Sequence, residues 1–450
     1  MTDYDVILIG AGAAGEHCAG ALADGGLRVA IVERELVAGE CSYYACIPSK
    51  TLLRPGEALS GARHAPGARE AVTGPIDVEQ ALAWRDFMVS GYDDSAQADW
   101  LAGKGIDLLR GEGRVAGPGV VAVDGREHTT DHIVVATGSE PIVPPVPGLR
   151  ELDGVWTNRE VTGLREAPKR LVVLGAGPVG VEMAQALARF GASVDLVEGM
   201  DHILPREPKP LGDALARALR ADAVDIHLGQ RAEHVSKDGE DFVVAFADGT
   251  ELRGDRLLVA TGRRPRVDDI GLETIGVEAT RRGIPVDDRM NVGANMWAIG
   301  DVAGIWPLTY VGKYQGRIAA ANILGRERRA DYSAVPRVVF TDPQAASVGE
   351  AEGPVTATVA LADVPKTATY TRAYEEDPGF LTLVSDGERL TGAQALGPEA
   401  GEWMQQAVLA IRAGVPIEVM EDTIQPFPAF TESFHFALAE LTAKASAVAV

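Results

Sequence analysis

Cysteine is scarce in this chain: three residues in 450, Cys18, Cys41 and Cys46. So sparse a set excludes a disulfide-stapled secreted scaffold. A bridge between Cys41 and Cys46 closes too small a loop to matter for stability. Basic residues are short too, 42 Lys plus Arg against 65 Asp plus Glu, for a net charge of −23. That balance repels phosphate backbones and anionic membrane surfaces, so neither nucleic acid nor membrane is expected as a partner. No apolar run approaches the length of a membrane span, and no basic segment precedes the short apolar run ending at Gly10. The expectation is a cytoplasmic protein, in whose reducing surroundings cysteines stay thiols unless an enzyme cycles them. Hydrophobic content of 46% with 24% charged residues argues against disorder and allows two to four domains.

What the chain does have is an internal repeat. Tyr4 to Glu33 reads YDVILIGAGAAGEHCAGALADGGLRVAIVE, and Lys169 to Glu198 reads KRLVVLGAGPVGVEMAQALARFGASVDLVE. In each, a buried strand runs into Gly-x-Gly-x-x-Gly, a helix follows, and a second strand ends in an acid 23 residues after the first glycine. One such fingerprint is weak evidence; two complete βαβ units with the same acid spacing are strong. Gly10 and Gly175 permit the tight strand-to-helix turn, Gly12 and Gly177 let a pyrophosphate approach the backbone, and Gly15 and Gly180 let helix and strand pack closely. The helix N-terminus offers unpaired N–H groups to the phosphates, and Glu33 and Glu198 are placed to accept hydrogen bonds from ribose hydroxyls.

A second repeated element closes each unit: Asp131 to Gly138 and Asp255 to Gly262 are strands ending in Ala-Thr-Gly. The proline-rich segment from Pro141 to Pro147 is stiff and is not expected to join a regular sheet, which places a domain crossing there. The chain returns near Arg263 to Ile270, so the second nucleotide domain is inserted in the first. Past residue 330 the pattern changes to apolar stretches at Arg337 to Phe340 and Gly379 to Val384, then a helical run around Glu402 to Ala413. No glycine fingerprint occurs there, which marks a third domain with another task. The expected fold class is α/β: two Rossmann-like dinucleotide-binding domains, the second inserted in the first, plus a C-terminal α+β dimerisation domain. The boundaries are 1–145 with 266–330, 146–265, and 331–450.

Directly after the first fingerprint comes Gly39-Glu-Cys-Ser-Tyr-Tyr-Ala-Cys-Ile-Pro-Ser-Lys50. Two cysteines this close in sequence, beside a nucleotide loop, point to redox chemistry rather than scaffold. Cys18, on the helix after the loop, reads as a small buried residue. Two cysteines are too few for a closed structural zinc site, so no resident metal is expected.

Taken with Ala298-Ile-Gly-Asp301 and Arg337-Val-Val-Phe-Thr-Asp-Pro343, these motifs resemble the class I pyridine nucleotide-disulfide oxidoreductases over nearly the whole chain. The resemblance implies that the first unit holds FAD, with Glu33 on the adenosine ribose, Asp301 on the ribityl chain, and Gly113, Thr137 and Gly138 among the contacts. The second unit, with Gly262 at its closing loop, takes the nicotinamide cofactor. Cys46 becomes the flavin-side, charge-transfer thiol and Cys41 the interchange thiol that meets substrate. Lys50 and Glu182 match a lysine–glutamate pair beside the flavin. A lysine there makes physical sense, because reduction places negative charge on the ring. A homodimer is implied, the partner completing the site over Cys41.

Cofactor choice is legible at Glu198-Gly-Met-Asp201: two acids and no base where a 2′-phosphate would need arginine, so NADH is expected over NADPH by about 1–3 kcal/mol. Near the C-terminus the sequence leaves the pattern. Disulfide-reducing members carry His-Pro-Thr-x-x-Glu, whose histidine is acid–base partner to the interchange thiol; here the segment is Gln425-Pro-Phe-Pro-Ala-Phe-Thr-Glu432. Phe427 stands at the histidine position while Glu432 keeps register. General acid–base catalysis contributes about 10²–10⁴-fold, so a plain disulfide should turn over slowly unless another group serves. His435 reads as an ordinary helix-face residue, and Tyr43 and Tyr44 as pocket-shaping or packing residues.

The leading expectation is an NADH-dependent FAD enzyme passing electrons through Cys41–Cys46 to an atypical small-molecule, thiol or disulfide substrate. One alternative is a dihydrolipoamide dehydrogenase-like enzyme with a substitute base. Another is a quinone or metal-ion reductase, or an oxidant-responsive flavoprotein.

Overall fold

The computed structural model describes residues 2–370 and 379–448. The chain divides into two compact units, the first of residues 1–48, 83–142 and 262–331, the second of 49–82, 143–261 and 332–450.

In the first unit, strand β1 (Tyr4–Ile9) runs into helix α1 (Ala13–Asp24) and returns as β2 (Val29–Glu33). β1 lies between β2 and the strand Arg126–Val135, both parallel to it, with Ile7 opposite Ala30 on one side and Ile133 on the other. The run of Val, Ile and Leu is buried because helices or loops cover both faces of a parallel sheet. Asp107–Arg110 extends the sheet beyond β2, and Met296–Ala298 extends it beyond Arg126–Val135. After β2 come two further helices, α2 (Gly39–Tyr43) and α3 (Cys46–His64), the latter starting in the first unit and continuing in the second.

The second unit repeats the device. Arg170–Leu174 pairs in parallel with Ser193–Glu198 and with Arg256–Val259, and the helix Pro178–Arg189 follows the glycine loop. A three-stranded antiparallel sheet, Ala232–Asp238, Asp241–Phe246 and Glu251–Gly254, is inserted before the closing strand. Beyond residue 332 lies a five-stranded antiparallel sheet in the order 337–339, 344–349, 390–397, 380–385, 355–360. Val355–Ala360 alternates buried and exposed, the period-2 signature of a strand packed on one face. Leu381 and Leu383 share a core with Phe434, Leu438 and Leu441 of the final helix, Glu432–Val448.

Two local readings differ from the structure. Pro141 does join a ladder: Ser139–Pro141 pairs antiparallel with Arg263–Pro265 as an isolated two-stranded sheet. A proline is tolerated there because a two-stranded ribbon is all edge. The helical run at 402–413 is broken at Met404 into Ala400–Trp403 and Gln405–Ala413. Among the described residues, no helix is long and apolar enough to cross a membrane.

Candidate active site

Both glycine loops have the shape that a pyrophosphate needs. Gly10 (φ +105°) and Gly175 (φ +102°) turn sharply; a Cβ on either would meet the carbonyl oxygen of Ala136 at 2.4 Å or of Ala260 at 2.6 Å. A Cβ on Gly15 would lie 2.1 Å from the Gly10 oxygen, and one on Gly180 1.9 Å from the Gly175 oxygen, so bare backbone is required for the helix to approach the turn. Gly12 and Gly177 are different: nothing lies within 4 Å of a Cβ at either position. Both have extended backbone that any residue adopts (φ −70° and −75°). Glycine at these two leaves open space at a helix N-terminus, as close approach by an anionic ligand demands. The residues present therefore fit two dinucleotides.

The acids lie against these loops. Ala11 N–H donates to Glu33 at 2.9 Å and Ala176 N–H donates to Glu198 at 2.9 Å; the second oxygen of each accepts from Glu35 N–H (2.8 Å) and Met200 N–H (3.0 Å). A carboxylate has about four acceptor positions, so each acid keeps capacity for a ribose. The second acid of the sequence reading, Asp201, pairs with His202 at 2.8 Å. The fold brings one base that sequence spacing did not suggest: Arg231, whose Nε lies 3.1 Å from the Cβ position of Gly199.

Around Asp301 the first unit builds a polar network. Ser139 Oγ donates to Asp301 at 2.5 Å, Arg263 Nε donates to Ser139 Oγ at 2.8 Å, and the Arg263 guanidinium reaches Glu40 at 3.4 Å. Arg266 adds a second contact to Glu40, at 3.6 Å. Burial pushes the Asp301 carboxyl above its ordinary range, against the pull of Ser139 and Arg263. The network ends one residue from Cys41 and so pins α2. Thr137 Oγ donates to the Arg266 carbonyl at 2.7 Å, and Gly138 turns with φ +74°. Gly113 packs against Val32 and Ile9, where a Cβ would fall 2.9 Å from Val32 Cγ1, which accounts for its small size by packing. At the matching loop of the second fingerprint, Gly262 (φ +123°) accepts from Ile142 N–H at 2.9 Å.

Cys41 lies in α2 and Cys46 opens α3, both thiols half-buried. The start of a 19-residue helix favours negative charge on Cys46, and Thr309 Oγ lies 3.3 Å from its sulfur. The Cys41 thiol is pushed well up, first by its hydrogen bond with Cys46 and then by burial; Thr309 and Lys313 pull the other way. Tyr43 is buried, its hydroxyl 3.2 Å from Gln97 Oε1, its ring 6.3 Å from Tyr44 and 6.4 Å from Tyr92. Burial drives its phenol up to about 12, which suits packing rather than proton transfer. Cys18 is buried and its thiol is likewise driven up to about 12 by burial, so it is inert.

In the second unit Lys50 and Glu182 meet. The Lys50 ammonium donates to Glu182 at 2.7 Å, and Phe340 N–H donates to the other carboxylate oxygen at 2.9 Å. The Phe340 ring centroid lies 4.7 Å from Lys50 Nζ, within cation–π range. Glu182 is 3% exposed, so both its oxygens need these partners. Phe427 is 75% exposed and precedes a cis peptide to Pro428. Glu432 opens the final helix and accepts from Ala429 N–H at 3.2 Å. His435 is exposed, its ring 5.7 Å from Phe436. Sequence reasoning missed Thr309, Lys313, Arg263, Ser139 and Glu40: none sits in a repeat, and Thr309 is 263 residues from the sulfur it meets. Among the described residues no group of three or more His, Cys, Asp or Glu is arranged to hold a metal.

The pyridine nucleotide-disulphide oxidoreductase family matches residues 4–316, and the dimerisation domain of the same family matches 335–438. A dihydrolipoyl dehydrogenase from Thermus scotoductus is 35% identical over 96% of this chain and 96% of its own. A mercuric reductase from Acidithiobacillus ferrooxidans is 34% identical over 98% of this chain and 83% of its own. Among solved structures, the Cu(II) complex of the HOCl-induced flavoprotein disulfide reductase RclA from Escherichia coli matches with a TM-score of 0.85 at 28% identity, covering 96% of this chain and 99% of that one. The dimerisation domain suggests a homodimer. With a mixed α/β fold matched from end to end, this chain belongs to the pyridine nucleotide-disulphide oxidoreductases, FAD-dependent enzymes that bind NAD(P)H.

Proposed function

We propose that this enzyme takes electrons from NADH in preference to NADPH and delivers them through Cys41 and Cys46 to an acceptor other than an ordinary free disulfide. The observation that carries this reading is Phe427, a residue with no proton to give, three-quarters exposed where disulfide-reducing relatives present a histidine. In this reading residues 1–145 and 266–330 bind FAD, 146–265 bind NADH, and 331–450 form the dimer interface. Bound FAD supplies two-electron chemistry, passing reducing equivalents from nicotinamide to the disulfide. The chain's own residues orient and screen. Gly12 and Gly177 admit the pyrophosphates, Glu33 and Glu198 hold the riboses, Asp301 holds the ribityl chain, and Lys50, fixed by Glu182, places a cation where negative charge develops. Cys46, at the head of α3, keeps the flavin-side sulfur anionic, and Cys41 meets the substrate.

Preference for NADH rests on Glu198 and Asp201, two carboxylates against the single Arg231 near Gly199. Anaerobic titration with NADH should raise the long-wavelength absorbance of a thiolate beside the flavin, and Cys46→Ser should abolish it. Turnover of dihydrolipoamide with NAD at the rate of ordinary relatives would sink the claim of an atypical acceptor.

A second reading is favoured by the likeness to the RclA copper complex: the two adjacent half-buried thiols serve a metal ion or an oxidant as acceptor. Under it, NADH-dependent reduction of Cu(II) is lost in both Cys41→Ser and Cys46→Ser. Quinone reduction that survives the double variant would instead mean that the flavin acts without the thiols.

A further inference from the structure

The proton partner missing at Phe427 leaves Cys41 with a burial problem, and one charged group in its own unit answers it. The helix Thr309–Ile323 begins with Thr309, whose hydroxyl lies 3.3 Å from Cys46 Sγ. Four residues on, and therefore one turn along the same face, is the half-buried Lys313. This helix packs tightly on α1: a Cβ on Gly312 would lie 3.1 Å from Ala14 Cβ, and one on Gly316 2.9 Å from the Ala14 oxygen. The approach sets Lys313 beside the first turn of α1, where Glu16 stands. Lys313 acts on both: it lowers the Cys41 thiol and the Glu16 carboxyl.

We infer that Lys313 is the cation that sustains the Cys41 thiolate where family members of ordinary type present a histidine, and that Glu16 is a positioning residue setting how much of that positive charge reaches the sulfur. The inference rests on the reading of Cys41 as the substrate-facing thiol. Its chemistry balances simply. A hydride from NADH, by way of the flavin, breaks the sulfur–sulfur bond and leaves two sulfur anions and one proton, which passes to water. The Lys313 ammonium stabilises the Cys41 anion; a proton from water neutralises that sulfur only when the thiol form is needed.

The groups facing this pair are Glu16 and His17 on α1, Lys313 and Arg317 on the partner helix, Cys41 and Tyr43 on α2, and Glu33 at the end of β2. Burial first, and the charge of Glu33 last, push Glu16 up to about 7. Below that pH Glu16 is neutral and Lys313 acts on Cys41 undiminished; above it the carboxylate offsets the ammonium. His17 is pushed the other way, first by burial and then by Lys313.

The test is alkylation of the NADH-reduced holoenzyme by iodoacetamide from pH 5.5 to 9, with Cys41 and Cys46 followed separately by peptide mass spectrometry. Lys313→Met should slow labelling of Cys41 at neutral pH by roughly tenfold, one unit in the thiol's midpoint, and Lys313→Gln should do the same. Lys313→Arg should recover the wild-type profile to within about threefold. Glu16→Gln should remove the inflection near pH 7 and speed labelling above it. Profiles of Lys313→Met and Lys313→Gln that superimpose on the wild type overturn the inference, as does slowing that arginine does not rescue. If the reduced wild-type enzyme shows neither long-wavelength absorbance nor new labelling at Cys41, the relay itself is wrong and the inference falls with it. If the absorbance forms in every variant and only the labelling profile fails to move, the relay stands and the role of Lys313 alone is refuted.

Discussion

Replacing Gly177 and Gly180 separately by alanine distinguishes a ligand cradle from a packing requirement, because the structure assigns opposite reasons to two glycines three residues apart. At Gly177 the backbone is extended and nothing lies within 4 Å of the new methyl. The fold should tolerate it, with a stability loss of no more than about 1 kcal/mol, since alanine is a poorer helix N-cap than glycine. The methyl does occupy the space through which a pyrophosphate reaches the N–H groups of the helix start. Loss of one charge-assisted hydrogen bond costs about 1.5–3 kcal/mol, so the KM for NADH should rise roughly 10- to 150-fold. At Gly180 the methyl would lie 1.9 Å from the Gly175 oxygen, a backbone atom that cannot move without opening the turn. Overpacking of this kind costs about 1–3 kcal/mol or more, visible as a lower urea midpoint. Steady-state kinetics, urea melts and the flavin spectrum of both variants check the pair. An unchanged KM in Gly177→Ala would refute the second loop as a nucleotide cradle, and unchanged stability in Gly180→Ala would refute the packing argument.

Phe427→His should raise turnover of a free disulfide by tenfold or more, since general acid–base catalysis contributes about 10²–10⁴-fold; reductase assays with lipoamide decide it, and no gain would mean that the histidine position is not what limits this enzyme. Arg231→Ala should worsen the KM for NADPH while leaving that for NADH within about twofold, because its guanidinium lies over Gly199 rather than at the loop. Lys50→Met should slow reduction of the enzyme by NADH in stopped flow. It also leaves Glu182 a buried carboxylate that keeps the Phe340 N–H but loses the Lys50 ammonium, and should lower stability by about 1–3 kcal/mol. Glu16 carries a linkage signature. Its folded value of about 7 lies above its ordinary value of 4.5, so the native state holds the extra proton between them. Its stability contribution is therefore intact below pH 4.5 and lost as pH rises through 7. Glu16→Gln should gain on the wild type at pH 8 relative to pH 4.5 by on the order of 1–3 kcal/mol in urea melts, a range that allows for its partial exposure.

The parts of the site that the sequence made legible are those whose residue type is dictated by backbone geometry. Gly10 and Gly175 turn at positive φ, Gly15 and Gly180 admit a carbonyl at contact distance, and no other residue substitutes, so the spacing is a direct image of the fold. Glu33 and Glu198 were legible for the same reason: an acid at the end of a strand parallel to β1, or to its counterpart, faces the loop whatever else the chain does. The contacts that were not legible join distant segments through ordinary side chains. Nothing in Ser139 or Arg263 announces that one donates to Asp301 and the other reaches Glu40, and Thr309 looks like any threonine at a helix start. Lys50 and Glu182 were placed through a resemblance, since 132 residues separate two commonplace charges. Pro141 misled because a proline in a proline-rich run reads as linker, whereas a two-stranded ribbon presents an edge on both sides and accepts it.

On the proposed reading, these contacts also explain how the electron entry side is retained while the exit changes. The nucleotide loops are held by backbone packing, and Lys50 by a buried carboxylate that also caps the Phe340 N–H; altering either damages the fold as well as the cofactor site. Phe427 bears no such duty. It is 75% exposed, and Glu432 behind it already has a structural task as acceptor for the Ala429 N–H at the start of the last helix. On the proposed reading, phenylalanine at this position changes the acceptor without disturbing the supply of electrons. Within its own unit the Cys41 sulfur is governed by groups of both signs: the hydrogen bond with Cys46 and burial oppose its ionisation, and Thr309 and Lys313 favour it.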